Sequence, residues 1–282
     1  MKIGIIGNGY VGKATSNIIP SSYEKVVYDI DPNKCEPSGI SFKDVDGSDI
    51  IFVCVPTPMY RGGRCYTKVV EDSILKIRRE LTKPCTIIIR STVPVGTSYK
   101  IDVNFMPEFL TEANWEKDTK ETTDWILGVS DVGNSKFKQL IELLLEDSVK
   151  EKKISGSKIH FMDTKTAELT KYTSNAFFAT KVGFFNEIND FCEKEDISYS
   201  ELLDALIPVS RGRISPSHTQ VPGPDGKKGF GGTCLPKDIA ALQYLFLERK
   251  MQPIILRAVD YRNKTKDRPE KDWEKDKGRA SL

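Results

Sequence analysis

The N-terminal part of the chain alternates short apolar runs with stretches of helical period. The runs are apolar along most of their length, which is typical of strands covered on both faces of a sheet. They fall at residues 2–6, 25–28, 50–55, 86–90, 125–129 and 158–162. Strands that alternate with helices over residues 1–162 predict an α/β domain built on a doubly wound parallel sheet.

The pattern changes after these strands. No proline occurs between Asp163 and Pro208, and Asp163 or Thr164 can cap a helix. One long helix is therefore predicted from Thr164 to about Glu195, roughly 45 Å at 1.5 Å per residue. Such a helix often bridges domains or pairs with a second subunit, which favours a homodimer.

These patterns divide the chain into three segments. Residues 1–162 form the sheet domain, 163–260 a helical domain with one long central helix, and 261–282 a charged tail. The tail is dense in charge and lacks apolar periodicity, so we expect a frayed helix or a disordered segment. A loop at 214–228 is too rich in polar residues, proline and glycine for regular structure.

A GxGxxG segment follows the first strand directly and opens a helix. Its glycines let a pyrophosphate approach the backbone, and the helix N-terminus attracts the negative charge. The second strand ends in Asp29, at the spacing where a carboxylate accepts hydrogen bonds from the adenosine ribose. Because Asp29 also repels a 2′-phosphate, the segment predicts a Rossmann domain that binds NAD rather than NADP. The expected cofactor contacts are Gly7, Gly9, Tyr10, Val11, Gly12 and Asp29.

Two other strands end in hydroxyl-bearing residues. Thr57 follows the run at 50–55, and Thr92 follows the run at 86–90. Ligands of doubly wound sheets bind at the carboxyl edge, where parallel strands end. We therefore expect both threonines at the ligand-binding edge of the sheet.

A second glycine-rich segment, GFGGTCLPKD at 229–238, precedes another helix. Pro236 suits the first turn of a helix, so Cys234 is expected at the helix N-terminus with Lys237 and Asp238 close by. This setting lowers the pKa of a thiol and makes it a nucleophile. An isolated cysteine is more often a small buried residue, but the glycines and the Lys-Asp pair favour catalysis here.

Polar residues on the long helix and after a strand supply further candidate groups. Lys171 and Asn175 are four residues apart, so they share one helix face and suit a developing oxyanion. Asparagine is a poor helix former, and its position in mid-helix asks for a reason. Glu108 can act as a base on water if burial raises its pKa; the alternative is a glutamate that starts a helix.

Composition excludes several classes of function. The chain has 282 residues, enough for one large or two ordinary domains, and its net charge of +2 gives no reason to expect nucleic acid or a membrane as partner. The six cysteines lack zinc-site spacing and the two histidines are too few for a histidine-rich site, so no metal is expected. The start of the sequence lacks the pattern of a signal peptide, which favours a reducing cytosol.

The segment at 229–238 resembles the active-site motif GFGGxCxPKD of the UDP-glucose/GDP-mannose dehydrogenase family. Four more segments are similar to that family: VPTP at 55–58, STVPVGT at 91–97, PEFLTEA at 107–113 and AELTKYTSNAF at 167–177. Two positions depart from its pattern, because Met106 replaces the usual asparagine and Ala113 stands where glycine is common. The resemblance covers about residues 1–260, and the second Rossmann-like domain usual in the family is not among them.

The resemblance implies a four-electron oxidation of a nucleotide-sugar C6 alcohol to a carboxylate with two NAD, UDP-glucose being the expected substrate. Cys234 would carry a thiohemiacetal and then a thioester, and Lys171 and Asn175 would stabilise oxyanions. Asp238 and Glu108 would assist proton transfer and hydrolysis. The resemblance also places Thr92 among the catalytic residues. The resemblance adds cofactor contacts at Thr57, Thr92, Glu112 and Lys237, and substrate contacts at Phe109, Leu110, Lys171, Asn175, Arg213 and Gly231. Arg213 commonly reaches substrate from the partner subunit.

Two other functions stay open. A two-electron β-hydroxyacid dehydrogenase also joins a Rossmann domain to a helical one and uses a helical Lys-x-x-x-Asn pair, although the Cys234 motif argues against it. An inactive nucleotide-binding or regulatory protein would result if the nucleotide sugar could not be held productively. UDP-N-acetyl sugars and GDP-mannose are the alternative substrates.

Overall fold

The structure, a computed structural model, describes residues 1–131 and 135–282. Within these residues, seven strands form one sheet in the order β2-β1-β3-β4-β5-β6-β7. The strands are β1 (Lys2–Ile6), β2 (Glu24–Tyr28), β3 (Ile50–Val53), β4 (Thr86–Ile89), β5 (Asn104–Phe105), β6 (Asp124–Val129) and β7 (Lys158–Asp163). The α/β fold class predicted from the sequence is confirmed.

The sheet is parallel except at one junction. Ile5 of β1 lies opposite Val27 of β2 on one side and Phe52 of β3 on the other, all in parallel register. Phe105 of β5 instead pairs antiparallel with Gly128 of β6. The prediction of an all-parallel sheet fails there because β5 is only two residues long, and so short a strand leaves no apolar pattern in the sequence.

Helices cover both faces of the sheet. They are α1 (Tyr10–Ile18), α2 (Lys68–Glu80), α3 (Thr97–Lys100), α4 (Trp115–Glu121) and α5 (Ser135–Lys150). Ile18 of α1 and Ile141 of α5 pack on one face with Phe52. Ile74 of α2 packs on the other face with Ile51, so neighbouring residues of β3 point to opposite sides.

The long helix α6 (Thr164–Lys194) has 31 residues and confirms the predicted span. Asp163 caps it, because its Oδ1 accepts a hydrogen bond from the backbone N–H of Thr166 at 3.0 Å. Packing divides the chain into two units. Unit 1 holds residues 1–57 and 66–171, and unit 2 holds 58–65 and 172–282. This division differs from the sequence-based boundary after residue 162.

Unit 2 contains the C-terminal part of α6 and three further helices among its described residues. They are α7 (Tyr199–Val209), α8 (Leu235–Glu248) and α9 (Ile254–Arg262). Ala179, Phe230 and Ile239 form a small buried cluster. The loop at 214–228 has neither helix nor strand, as predicted. Across the parts of the chain that the structure describes, no helix combines the length and apolarity needed to cross a membrane.

The prediction of a frayed or disordered tail is wrong. The chain continues after α9 through helical turns at Asn263–Asp267 and Asp272–Lys275. Trp273 is buried at 3% exposure. Charged residues of this segment pair with acids elsewhere in unit 2: Arg268 donates to Asp225 at 2.5 Å. The tail is therefore part of the folded unit.

Residues 58–65 belong to unit 2 although they come early in the chain. The backbone N–H of Met59 donates to the carbonyl of Ala280 at 3.1 Å. Gly63 has a φ of +82° and lies so close to α8 that a Cβ there would stand 2.9 Å from the carbonyl oxygen of Ala240. This segment thus joins helix α8 to the C-terminal residues.

Three phenylalanines on α6 are exposed. Phe177, Phe184 and Phe191 are spaced seven residues apart and are 62%, 57% and 60% exposed. Their neighbour Phe185 is buried at 3% exposure.

Candidate functional site

The first glycine loop connects β1 to α1 and is shaped by close backbone contacts. Gly7 has a φ of +95°, and a Cβ on it would stand 2.6 Å from the carbonyl oxygen of Cys54. A Cβ on Gly12 would stand 2.0 Å from the carbonyl oxygen of Gly7. Around Gly9, by contrast, a Cβ would meet no described atom within 4 Å. The loop is tight at both ends and open at its middle glycine.

Asp29 lies at the end of β2 and is tied to this loop. Its Oδ2 accepts a hydrogen bond from the backbone N–H of Asn8 at 2.6 Å, and its Oδ1 accepts one from Asp31 at 2.9 Å. Tyr10 and Val11 form the first turn of α1. These residues fit NAD: the open face at Gly9 and the helix N-terminus suit a pyrophosphate, and the carboxylate suits ribose hydroxyls.

The two threonines lie at adjacent strand ends, as expected. Thr57 follows β3 and is buried at 6% exposure, and Thr92 follows β4 and is partly buried. Strands β3 and β4 are parallel neighbours, so both residues lie at the carboxyl edge of the sheet. Glu112, the other predicted cofactor contact of unit 1, is exposed in the turn before α4.

Glu108 and Lys171 form a buried ion pair in unit 1. The Lys171 Nζ lies 3.1 Å from the Glu108 Oε1, and the two side chains are only 3% and 4% exposed. Glu108 Oε2 also accepts a hydrogen bond from the backbone N–H of Leu110 at 2.8 Å. The Lys171 Nζ stands 5.4 Å from the ring centroid of Phe109, which is 45% exposed. Four sequence-predicted residues therefore lie together, although no pattern in the sequence pairs the lysine with the glutamate.

Cys234 occupies the N-cap position of α8 and is partly buried. Lys237 and Asp238 follow in the first turn and are buried, with 2.5 Å between Nζ and Oδ1. The other carboxylate oxygen of Asp238 accepts a hydrogen bond from Asn175 at 2.5 Å. Burial alone would lower the pKa of Lys237, but Asp238 and the thiols of Cys65 and Cys234 raise it above its ordinary value. A thiol at a helix N-terminus beside a buried cation is the setting in which cysteines act as nucleophiles.

The second glycine loop is held by side chains from distant parts of unit 2. Asn263 makes two hydrogen bonds to the backbone of Phe230. Its Oδ1 accepts from the N–H of Phe230 at 2.8 Å, and its Nδ2 donates to the carbonyl of Phe230 at 2.9 Å. The N–H of Gly229 donates to Oδ1 of Asn186 at 3.0 Å. The guanidinium of Arg268 lies against Gly231, where a Cβ would stand 2.4 Å from Cζ. These contacts fix the backbone that leads into Cys234.

Comparison with known proteins places this geometry in a family. Residues 38–147 match the NAD binding domain of the UDP-glucose/GDP-mannose dehydrogenase family, and residues 165–265 match its central domain. The chain belongs to the UDP-glucose/GDP-mannose dehydrogenase family. NAD is the cofactor of its first domain. The match to that domain begins after the first glycine loop, so the assignments of Gly7, Gly9, Gly12 and Asp29 depend on the geometry above.

Named relatives of this family member agree with the assignment. A UDP-glucose 6-dehydrogenase of Rickettsia felis is 31% identical over 83% of this chain and 52% of its own length. That of Rickettsia prowazekii is 30% identical over 94% of this chain and 67% of its own length. The chain thus spans about half to two thirds of these relatives. The structure of a UDP-glucose dehydrogenase from Pyrobaculum islandicum shares the fold, with a TM-score of 0.74 at 22% identity, covering 92% of this chain and 66% of that one.

Arg213, which the family resemblance linked to substrate, and Lys228 lie in different settings. Arg213 is exposed in the loop after α7, and its backbone N–H donates to the carbonyl of Ser210 at 3.1 Å. Lys228 pairs with Asp190 at 3.1 Å and Glu193 at 2.8 Å. Lys228 is therefore neutralised within unit 2.

Sequence reasoning missed several residues that support the family's motifs. Three of them, Asn186, Asn263 and Arg268, hold the second glycine loop. A fourth is Glu168, which is fully buried and accepts a hydrogen bond from the backbone N–H of Ser98 at 2.8 Å. Burial raises the pKa of Glu168, against the opposing effect of that bond. Arg90 is the other omission. Its sequence signal was a charged residue at the end of the apolar run that forms β4.

Proposed function

We propose that the chain oxidises the C6 primary alcohol of a nucleotide sugar, UDP-glucose, to the carboxylate in a four-electron reaction with two NAD. The observation that carries this proposal is the position of Cys234 at the N-cap of α8, next to the buried Lys237–Asp238 pair. A covalent thiol adduct keeps the aldehyde bound between two oxidations. The named relatives, which are UDP-glucose 6-dehydrogenases, support the choice of substrate.

The thiol chemistry has three steps. After the alcohol has become an aldehyde, the Cys234 thiolate bonds to the aldehyde carbon and gives a thiohemiacetal. The second oxidation leaves the same carbon as a thioester of Cys234. Water then adds, the C–S bond breaks, and the carboxylate and the thiol are released. Asp238 takes the hydroxyl proton in the oxidation of the alcohol, and Asp238 and Glu108 assist the final hydrolysis. Thr92 completes the catalytic set, and Lys171 and Asn175 donate hydrogen bonds to the oxyanions.

NAD, when bound, supplies the hydride acceptor for each oxidation. The first glycine loop and the N-terminus of α1 would hold its pyrophosphate, and Asp29 its adenosine ribose. The negative charge of Asp29 would repel a 2′-phosphate, so NAD is preferred over NADP. Equal use of both cofactors would remove Asp29 from the ribose site.

To stabilise an oxyanion, Lys171 must exchange its contact with the Glu108 carboxylate for one with the oxyanion. At 3.1 Å the pair is a single contact, so Lys171 can turn from the carboxylate to a developing oxyanion without losing several bonds at once. Glu108 would then be free to accept a proton from water.

The decisive experiment counts electrons. With limiting UDP-glucose, we expect two NADH for each sugar and UDP-glucuronate as product, a precursor for polysaccharide synthesis. A parallel panel of UDP-N-acetyl sugars and GDP-mannose identifies the preferred substrate. One NADH with free aldehyde would instead indicate the β-hydroxyacid type of chemistry, and bound nucleotide sugar with no NADH would indicate a binding protein.

Replacement of the nucleophile tests the covalent step. Cys234→Ser should lower acid production by about 10⁴-fold or more, as for other nucleophile substitutions, and still bind NAD. Cys85→Ser is the matched control, because Cys85 lies before β4, away from every proposed role. Intact mass after denaturation should show a sugar adduct on the unmodified protein and none on Cys234→Ser. Full acid production by Cys234→Ser would overturn the mechanism.

For assembly, we propose a homodimer formed through α6. The exposed rings of Phe177, Phe184 and Phe191 recur every seven residues, which places them along one side of the helix. In such a dimer the partner's copy of Arg213 could reach the nucleotide sugar. Light scattering at micromolar concentration should give twice the chain mass, and Phe184→Asp should give the monomer. A monomeric unmodified protein would contradict the dimer.

We propose the cytosol as the compartment. All six cysteines lie in the described residues and are thiols, which suits a reducing environment. Fractionation of the source cells would test this.

A further inference from the structure

Arg90 is a buried residue with two guanidinium nitrogens that lack hydrogen-bond partners in the described part of the chain. The residue is 3% exposed. Its Nε and Nη1 are shielded from solvent and have no hydrogen-bond partner among the residues that the structure describes. An arginine presents five N–H donors, and a buried donor without a partner is costly, the more so when it is charged. A protein keeps such a group where something else supplies the acceptor.

The position of Arg90 identifies the face on which its donors lie. It follows β4 directly, and its backbone N–H donates to the carbonyl of Val53 in β3 at 2.9 Å. Side chains alternate along a strand, so Arg90 shares a face with Ile88, which packs in the same cluster as Cys54 and Ile18 of α1. This is the side of the sheet that carries the first glycine loop.

The local charges leave a surplus of one positive charge. Glu108 and the thiol of Cys54 act electrostatically on Arg90. Glu108 is already paired with Lys171 at 3.1 Å. Two buried cations therefore share one buried carboxylate. An acceptor oxygen from a ligand would satisfy the unmet donors and offset the surplus.

The strand order indicates which part of the ligand reaches Arg90. Asp29 ends β2, the glycine loop follows β1, and Arg90 follows β4, two strands beyond β1 in the sheet. From β2 to β4 the sheet extends about 14 Å at 4.8 Å per strand. A dinucleotide with its adenosine ribose at Asp29 and its pyrophosphate at the glycine loop would bring its nicotinamide half toward the end of β4.

We propose that Arg90 is a cofactor-binding residue whose Nε and Nη1 donate hydrogen bonds to an oxygen of the nicotinamide half of NAD. Its fixed charge has a second effect. The nicotinamide ring is positive in oxidised NAD and neutral in NADH, so a buried cation nearby disfavours the oxidised ring. Arg90 thereby promotes hydride acceptance. The inference concerns cofactor binding by unit 1 and does not depend on the identity of the sugar.

The test measures dissociation constants for oxidised NAD and for NADH without sugar, by fluorescence titration. Arg90→Met should weaken the binding of NADH by about tenfold or more, the loss expected for hydrogen bonds from a charged donor. It should weaken the binding of oxidised NAD by a smaller factor. Arg90→Lys keeps the charge but loses the planar donor pair. The binding of both NAD and NADH should therefore weaken, while the ratio of their dissociation constants stays near that of the unmodified protein. Arg79→Met is the matched control, because Arg79 is 73% exposed and pairs with Glu80.

Thermal unfolding of the NAD-free protein gives an independent readout. Because Arg90→Met removes an unmatched buried charge, its melting temperature without cofactor should equal or exceed that of the unmodified protein. If the variant fails to fold, Arg90→Lys decides by its cofactor affinities. Dissociation constants for both cofactor forms equal to those of Arg79→Met would overturn the proposal. Failure of UDP-glucose oxidation would not, since no sugar enters these measurements.

Discussion

The two glycine loops look alike in sequence and are held in different ways. Each precedes a helix, α1 in unit 1 and α8 in unit 2. The loop at 7–12 continues a buried strand, and its glycines lie so close to backbone carbonyls that no Cβ fits at Gly7 or Gly12. The loop at 229–232 follows a long irregular segment and is held by the side chains of Asn186, Asn263 and Arg268.

The difference shows that glycine serves two purposes. In the first loop it allows backbone to pack on backbone, within the loop at Gly12 and against the end of β3 at Gly7. In the second it leaves room for side chains that come from far along the chain. The first loop should therefore be sensitive to any added methyl group, and the second to the loss of its supporting side chains.

The largest expected effect is that of Gly12→Ala. Its Cβ would stand 2.0 Å from the carbonyl oxygen of Gly7, and backbone cannot yield as a flexible side chain does. We expect a loss of about 3 kcal/mol or more in the free energy of unfolding, together with loss of NAD binding. Gly9→Ala is the control: Gly9 has a φ of −72° and open space around it, so stability should hold while NAD binding weakens. Urea unfolding and NAD titration separate the two outcomes.

The Asn263→Ala substitution should have the next largest effect. It leaves the buried N–H and carbonyl of Phe230 without partners, at about 1–3 kcal/mol for each group. We expect unfolding at lower urea and slower acid production, with NAD affinity unchanged. Asn189→Ala removes another buried asparagine of unit 2, which bonds to Glu193 instead of the loop. Equal activity losses in both variants would mean that Asn263 supports the unit in general and not the loop.

A double-mutant cycle at Gly231 and Arg268 should show a smaller effect. Gly231 has no positive φ, so alanine is strained there mainly by the Arg268 guanidinium. Gly231→Ala should therefore cost less stability in the Arg268→Met background than alone, with a coupling of about 1 kcal/mol. Thermal or urea unfolding of the four proteins gives this value. A coupling of zero would show that Arg268 moves aside without cost.

The smallest expected effect is a loss of stability at acid pH that comes from Asp272. This residue supports the second loop through Arg268. Hydrogen bonding from Arg268 lowers the pKa of Asp272 below its ordinary value, against the opposing effect of burial. Its stabilisation is therefore present above the unfolded-state pKa of about 4 and is lost as pH falls below it. Asp272→Asn should be less stable than the unmodified protein near neutral pH, and the gap should narrow below about pH 4. A gap that stays constant down to acid pH would exclude the ion pair as its cause.

Local patterns predicted most of unit 1. The continuous apolar runs and helical periods placed β1 to β4, α1 and α6, because burial on both faces imposes those patterns. The expectation for the first loop could be made because the spacing of its glycines between a strand and a helix is itself a sequence pattern. Strand β5 and its antiparallel pairing left no such pattern in two residues.

Unit 2 was harder to predict because its contacts are distant in sequence. The Asn186–Gly229 and Asn263–Phe230 contacts each join residues far apart along the chain. The tail was judged disordered from its charge density. Composition cannot show that Arg268 finds Asp225 and Asp272, and such pairing is what lets a charged segment fold.

The pairing of Met59 with Ala280 has a consequence for synthesis on the ribosome. Residues 58–65 are translated long before Ala280 and Ser281, which pair with Met59. At about 5–20 residues per second, the early segment waits on the order of ten seconds or more for its partner. During that interval its backbone is open to other strands or to chaperones. Unit 2 is therefore completed only after the residues near Ala280 have been made and pair with a segment synthesised much earlier.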